Sequence, residues 1–289
     1  MDYHHFVESL KRFIIKNFSN KLDFKIPESL REYVVCAIHG QSDSEIQITY
    51  PVHPNGFPLL INIYGDMPTL HIGGKMIHPK SRLILAGQVR AKNLEIEMDG
   101  VFGQIGFVLR PTTPYYLFQK CGSYFLNRWR SVENIVPNDS DRLEKTLDST
   151  GEVMARLDIM LEFLNKLSLK AHPRHKWLDR TLKIILHTDG RVSQNKLAEI
   201  VGFSLRHFRR RFKEVIGVSP KYYCKVIQMN TFFEIFKSSD ETKLNTMALD
   251  CGYYDQAHFN RDFNSLIGDS PRKFLNGDHS FAKDYLGRL

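Results

Sequence analysis

Residues 3–18, "YHHFVESLKRFIIKNF", set Phe6, Leu10, Phe13, Ile14 and Phe18 at helical spacing, so an amphipathic helix is expected near the start of the chain. From about residue 33 to 110 the period shortens. "YVVCAIHG", "EIQITYPV", "PLLINIYG", "LHIGGKMIH", "RLILAGQV", "LEIEMDG" and "QIGFVLRP" are brief apolar or alternating runs separated by Gly, Pro, Asn and Asp. Many short strands at regular spacing predict an antiparallel barrel or sandwich, a form that often encloses a small ligand. "TPYYLFQKCG" predicts a short helix, and residues 139–171 a longer helical region carrying Leu157, Met160, Leu164, Leu167 and Ala171 at a/d spacing. That stripe has two readings: it covers the chain's own barrel, or it is a homodimer face through Leu157, Met160, Leu164 and Leu167. "KAHPRHK" (170–176) breaks the pattern with Pro173 and reads as a linker. The expected division is therefore 1–170 for the barrel with its flanking helices, 171–176 for the linker, and 177–289 for a region of short helices.

That last region contains a repeat. "LAEIVGFSLRHFRRRFKEVIGVSPKYY" aligns with "MALDCGYYDQAHFNRDFNSLIGDSPRKF". Ala198 and Gly202 match Ala248 and Gly252; after one inserted residue, Phe208, Phe212, Gly217, Ser219 and Pro220 match Phe259, Phe263, Gly268, Ser270 and Pro271. Each copy predicts a short helix stopped by a glycine that supplies the left-handed position. An aromatic comes next (Phe203, Tyr253) to seal the corner, then an N-cap residue (Ser204, Asp255). A second helix buries the two phenylalanines. Helix, glycine turn, helix is the helix-turn-helix arrangement, expected at about 193–217 and 243–268. "SPKYYCKVIQMNTFFEIFKSS" joins the copies as a helix over about 219–239. About 19 residues at 1.5 Å each span ~28 Å, against ~34 Å between successive major grooves on one side of B-DNA.

The second helix of each copy carries the chemistry. In the first, Leu205, Phe208, Phe212 and Val215 take one face, and Arg206, Arg209, Arg210 and Lys213 the opposite one. Arginine there suits guanine O6 and N7 or a phosphate. In the second, Gln256, Ala257, Asn260 and Arg261 are the outward set, with Asp262 where Arg211 stood; amides suit adenine. With His207, these are the nine candidate DNA-binding residues.

These residues resemble the AraC/XylS family of bacterial transcription regulators, over about Lys176 to Leu275. The resemblance implies base-facing positions at Arg206, Arg209, Arg210, Gln256, Ala257 and Arg261. The first part looks like a cupin-like module, on "YPVHPNGFPLLINIYGD", "LAGQV" and "IGFVLRPTTPYYLFQ". The expected class is thus α+β: an N-terminal antiparallel cupin-like β-barrel with flanking helices, then an all-α double helix-turn-helix domain. The expected function is sequence-specific binding of double-stranded DNA to regulate transcription. A small-molecule effector in the barrel and RNA polymerase are the further partners implied, and no cofactor is expected.

Charge agrees with a polyanionic partner. Residues 1–170 hold 20 Lys and Arg against 19 Asp and Glu, and residues 171–289 hold 20 against 13, so +7 of the net +8 lies in the helical region. Cys36, Cys121, Cys224 and Cys251 are scattered, with no CxxC and no metal-ligand spacing, as for reduced thiols in the cytoplasm. The first residues do not read as a secretory signal, and no apolar stretch nears the ~20 residues of a membrane span. GxSxG and GxxxxGK[ST] are absent. The competing class is a cupin-type metal-dependent enzyme fused to a DNA-binding domain. It would have to draw ligands from His39, His53, His71 and His78, which have no His-x-His spacing. Cys251, just before the Gly252 turn, is expected to be a packed residue and not a reactive thiol.

Overall fold

The structure is a computed structural model describing residues 24–90, 94–237 and 244–276. The helix expected at 3–18 and the last residues of the connecting helix, beyond 237, lie outside the described residues.

Among the described residues, seven strands form one antiparallel sheet: β1 (Val34–Pro51), β2 (Leu59–Ile63), β3 (Thr69–Ile72), β4 (Lys75–Ile77), β5 (Leu83–Ala86), β6 (Leu94–Leu109) and β7 (Trp129–Ser131). The order is β4-β3-β6-β2-β5-β7, with β1 on the other side of β6. The two long strands organise it. β1 pairs with β6 from Val34↔Leu109 to Pro51↔Glu95, while β2 and β3 share the opposite side of β6 through Leu59↔Val108 and Leu70↔Ile96. "YVVCAIHG" and "EIQITYPV" thus run together into β1, and "LEIEMDG" and "QIGFVLRP" into β6. The sequence predicts breaks at the intervening polar and glycine residues; the ladder absorbs them as a register shift at Gln41/Glu45. "IGGKM" is the β3–β4 hairpin, with Ile72 opposite Lys75. The described ends, β1, β4 and β7, do not pair with one another, so the sheet is a curled half-barrel.

Helices close its sides. α1 (Thr113–Tyr116) and α2 (Gly122–Phe125) are short, and the predicted region 139–171 is two helices, α3 (Pro137–Ser149) and α4 (Val153–Ser168). Leu157, Met160, Leu164 and Leu167 are fully or nearly fully buried in one cluster with Leu60, Leu83, Ile105 and Phe107 of the sheet. This corrects the homodimer reading: the stripe is consumed in covering the chain's own barrel. Arg156, on the same helix, donates to Asn62 Oδ1 at 2.8 Å and to the Thr150 carbonyl at 2.6 Å.

Residues 171–175 have no regular structure, but they are held: the His172 amide donates to the Tyr116 carbonyl, the His175 amide to the Tyr116 hydroxyl, and Arg174 pairs with Glu32 and Asp179. The helical region comes next as α5 (Lys176–His187), α6 (Gln194–Ile200), α7 (Leu205–Ile216), α8 (Pro220–Lys237), α9 (Leu244–Asp250), α10 (Gln256–Ile267) and α11 (Pro271–Asn276). Its core is not separate from the sheet. Val35, Cys36, Ile38, Phe57 and Val108 belong to the same buried cluster as Phe212, Tyr223, Ile227 and Phe263. The first half of β1 is therefore buried on both faces, between α4 and the helical region.

Candidate nucleic-acid interface

The two repeats fold alike down to their caps. α6 ends in paired bonds, Gly202 amide to Glu199 carbonyl and Phe203 amide to Ala198 carbonyl; α9 ends in the same pair, Gly252 to Leu249 and Tyr253 to Ala248. Both glycines sit at positive φ, 71° and 80°, which the left-handed stop requires. The next helix starts on a side-chain cap. Ser204 Oγ accepts the His207 amide at 3.3 Å, and Asp255 Oδ1 the His258 amide at 2.6 Å. The corner aromatics pack as expected: Phe203 against Trp177 at 5.2 Å, Tyr253 against Phe259 at 5.2 Å. α7 and α10 end at left-handed Gly217 and Gly268. Ser219 then caps the start of α8, and Ser270 the start of α11.

The apolar faces are buried, with Phe208, Phe212 and Val215 on α7 and Phe259, Phe263 and Leu266 on α10. On α7, Arg206, Arg209, Arg210 and Lys213 are all exposed. Arg209 Nε donates to Gln194 Oε1 at 2.8 Å, which ties the cationic face to the start of α6. Arg211 is half-buried and donates from Nη1 to both oxygens of Glu214. His207 is half-buried with its ring edge-on to Phe203 at 4.6 Å. On α10, Gln256, Ala257, Asn260 and Arg261 are exposed. The structure thus places eight of the nine candidate residues on outward faces and His207 in the corner.

Asp262 turns inward, so no carboxylate faces outward at that position. It pairs with Lys225 of α8, and His258 Nε2 lies 3.6 Å from its other oxygen. Asp255, the neighbouring acid, is occupied as the cap. Lys225, His258 and Gln228, whose amide donates to the Cys251 carbonyl at 2.9 Å, were not singled out from the sequence. Only the match of His258 to His207 in the repeat could have marked one of them.

A cavity of about 90 Å³ opens in the half-barrel, lined mostly by apolar residues such as Ile38, Leu59, Ile96 and Trp129, with Gln104 and Arg128 among its polar members. The barrel histidines are engaged singly. His39 Nε2 lies 2.6 Å from the Tyr64 hydroxyl, His71 Nε2 2.7 Å from Glu97, His78 Nδ1 3.2 Å from Thr69 Oγ1, and His53 stands edge-on to Phe274. Among the described residues, no three His, Cys, Asp or Glu side chains gather into a ligand set. Cys251 is buried, and burial, then the Asp250 charge, pushes its thiol up to about 12.

Residues 197–277 match a helix-turn-helix domain family. Among curated proteins, the chain is 25% identical over 125 residues to the HTH-type transcriptional activator RhaS of Enterobacter sp. (strain 638), covering 43% of this chain and 42% of that one. It is 29% identical over 86 residues to RhaS of Escherichia fergusonii, covering 30% and 31%. The chain therefore matches less than half the length of these relatives. Among solved structures, ToxT from Vibrio cholerae O395 aligns with 85% of this chain and 97% of its own at 12% identity, with a TM-score of 0.43. The paired units of the fold and the residues matched agree: over 197–277 this chain is similar to a helix-turn-helix domain, and its curated relatives over that region are HTH-type transcriptional activators.

Proposed function

We propose that the protein is a sequence-specific regulator of transcription that places α7 and α10 in adjacent major grooves of double-stranded DNA. One observation carries this reading. Two copies of a capped, glycine-stopped helix-turn-helix present outward faces of arginines in one case and amides plus arginine in the other. They are joined by an 18-residue helix of about 27 Å. Arg206, Arg209, Arg210 and Lys213 supply most of the phosphate attraction, and Gln256, Asn260 and Arg261, with Ala257 against a thymine methyl, proportionately more of the base discrimination. His207 acts from the corner, holding the start of α7. The functional division keeps the expected bounds: 1–170 as regulatory half-barrel, 171–176 as linker, 177–289 as the DNA-binding unit. The cytoplasm is its place of action, and RNA polymerase the machinery it addresses.

A small effector in the half-barrel is favoured by the cavity itself, an apolar space with a few polar groups. The engaged histidines favour no metal enzyme.

The test is a gel shift on DNA recovered by in vitro selection, at rising salt. Arg206→Ala and Arg210→Ala are each expected to weaken binding by ~1–3 kcal/mol. Wild-type affinity in both variants would overturn the docking of α7.

A further inference from the structure

The two units are not attached to α8 in the same way. At the shared repeat position, Arg211 is half-buried and satisfied by Glu214 on its own helix. Its counterpart Asp262 has a side chain only 7% exposed and is satisfied from another element, by Lys225 of α8. Three residues along the same face of α8, Gln228 takes the Cys251 carbonyl just past the end of α9. One face of the connecting helix therefore grips both helices of the second unit, α10 through a carboxylate and α9 through a terminal carbonyl. The first unit leans instead on apolar packing and on the barrel, where Gly217 meets the backbone of Gly122.

Stability alone does not call for such a pair. A buried ion pair loses most of its Coulomb gain to desolvation, and a well-packed apolar pair of equal volume does as well or better. What an ion pair adds is direction, since the carboxylate is satisfied only where the ammonium stands. We propose that Lys225 and Gln228 are positioning residues: Lys225 through α10 and Gln228 through the end of α9, they fix the angle of the second unit on the connecting helix, and through it the number of base pairs between the two halves of the bound DNA. His258, one turn earlier on α10, places Nε2 3.6 Å from the other oxygen of Asp262. This inference rests on the reading of α7 and α10 as DNA-reading helices.

The experiment uses the full chain and its selected DNA, together with versions whose spacer is one base pair longer or shorter, and a fragment carrying only the half read by α7. The wild-type chain is expected to prefer the native spacer by on the order of tenfold, the penalty of one lost base contact. In Lys225→Met and Gln228→Ala that preference falls toward one, affinity for the α7 half alone stays unchanged, and Lys225→Arg restores the preference. Gln228→Ala removes only one neutral hydrogen bond, so it carries the test where Lys225→Met does not fold. Folded variants that keep the wild-type preference would overturn the positioning role. If the wild-type chain selects no two-part DNA, the underlying reading of the helices fails instead.

Discussion

Arg206 and Arg210 differ from Arg209 and Arg211, although all four sit within six residues on one helix. Arg209 is already bonded to Gln194 and Arg211 to Glu214, whereas Arg206 and Arg210 make no ion pair or hydrogen bond among the described residues. An arginine that must give up a carboxylate to reach DNA gains less from it. Arg211→Ala is therefore expected to leave DNA affinity within about 0.5 kcal/mol of wild type, the range of a surface change, while Arg210→Ala costs ~1–3 kcal/mol; a gel shift of the two side by side decides it. The cysteines separate by the same logic of environment. Cys121 is exposed and Cys36, Cys224 and Cys251 are buried. Burial pushes the Cys224 and Cys251 thiols up to about 12. A thiol reagent at pH 8 should label one cysteine in the native chain and four in denaturant. Free thiols in the unfolded chain ionise near pH ~8.5, so the unfolded state gives up protons first. Whatever stability these two groups contribute is present below that pH and is lost as pH climbs toward 12; chemical denaturation at pH 8 and 10 reads the loss. The sequence reveals the outward arginines through their 3.6-residue period. It does not reveal the partner of Asp262, because Lys225 lies 37 residues away and only the packed fold brings them together.

Each helix-turn-helix depends on its stops, and the stops are not equivalent. Gly202 and Gly217 both sit at positive φ, 71° and 94°. A Cβ at Gly202 would meet no atom within 4 Å, so Gly202→Ala carries only the left-handed penalty of ~1–2 kcal/mol. A Cβ at Gly217 would run into the backbone of Gly122 on α2, which cannot swing aside as a side chain can. Gly217→Ala is expected to lower stability by more than Gly202→Ala and to loosen the barrel from α7 as well. Paired thermal melts read the first effect, and proteolysis within residues 171–175 the second. Equal melting temperatures would show that the contact with Gly122 gives way easily. Both glycines are legible in the sequence as helix stops, since stopping a helix is a local event. The second duty of Gly217 is not, because α2 and α7 meet across 95 residues of chain. The same limit applies to the strands. Alternation predicts each apolar run, but only the ladder reveals that four of them fuse into β1 and β6.

The half-barrel and the helical region read as two domains in the sequence, divided by Pro173 and by a jump in charge. The folded chain joins them through a common core. Val35, Ile38 and Phe57 lie in the cluster that holds Phe212, Tyr223 and Phe263. The polar ties run along the same seam: the Tyr222 hydroxyl donates to the Val89 carbonyl at 3.1 Å, and the Asn230 amide to the Asn55 carbonyl at 2.8 Å. Composition does not reveal this, since an apolar strand buried on one face and one buried on both draw on the same residues. The consequence is thermodynamic. A fragment of residues 171–289 keeps its caps and its phenylalanine pairs, yet it bares the sides of Tyr223 and Ile227 that Gly56 covers in the intact chain. Exposing that apolar surface removes favourable burial. The fragment is therefore expected to melt below the full chain and to bind a hydrophobic dye that the full chain does not. A full chain that instead unfolds in two steps, the later at the fragment's own melting temperature, would show that the shared cluster adds no cooperativity. The distinction matters for regulation. His53, Asn55, Phe57 and Val89 line the cavity on one side and touch the helical region on the other. Any group that settles there meets the wall against which α8 rests, and a cooperative seam would carry its effect to α7 and α10 together.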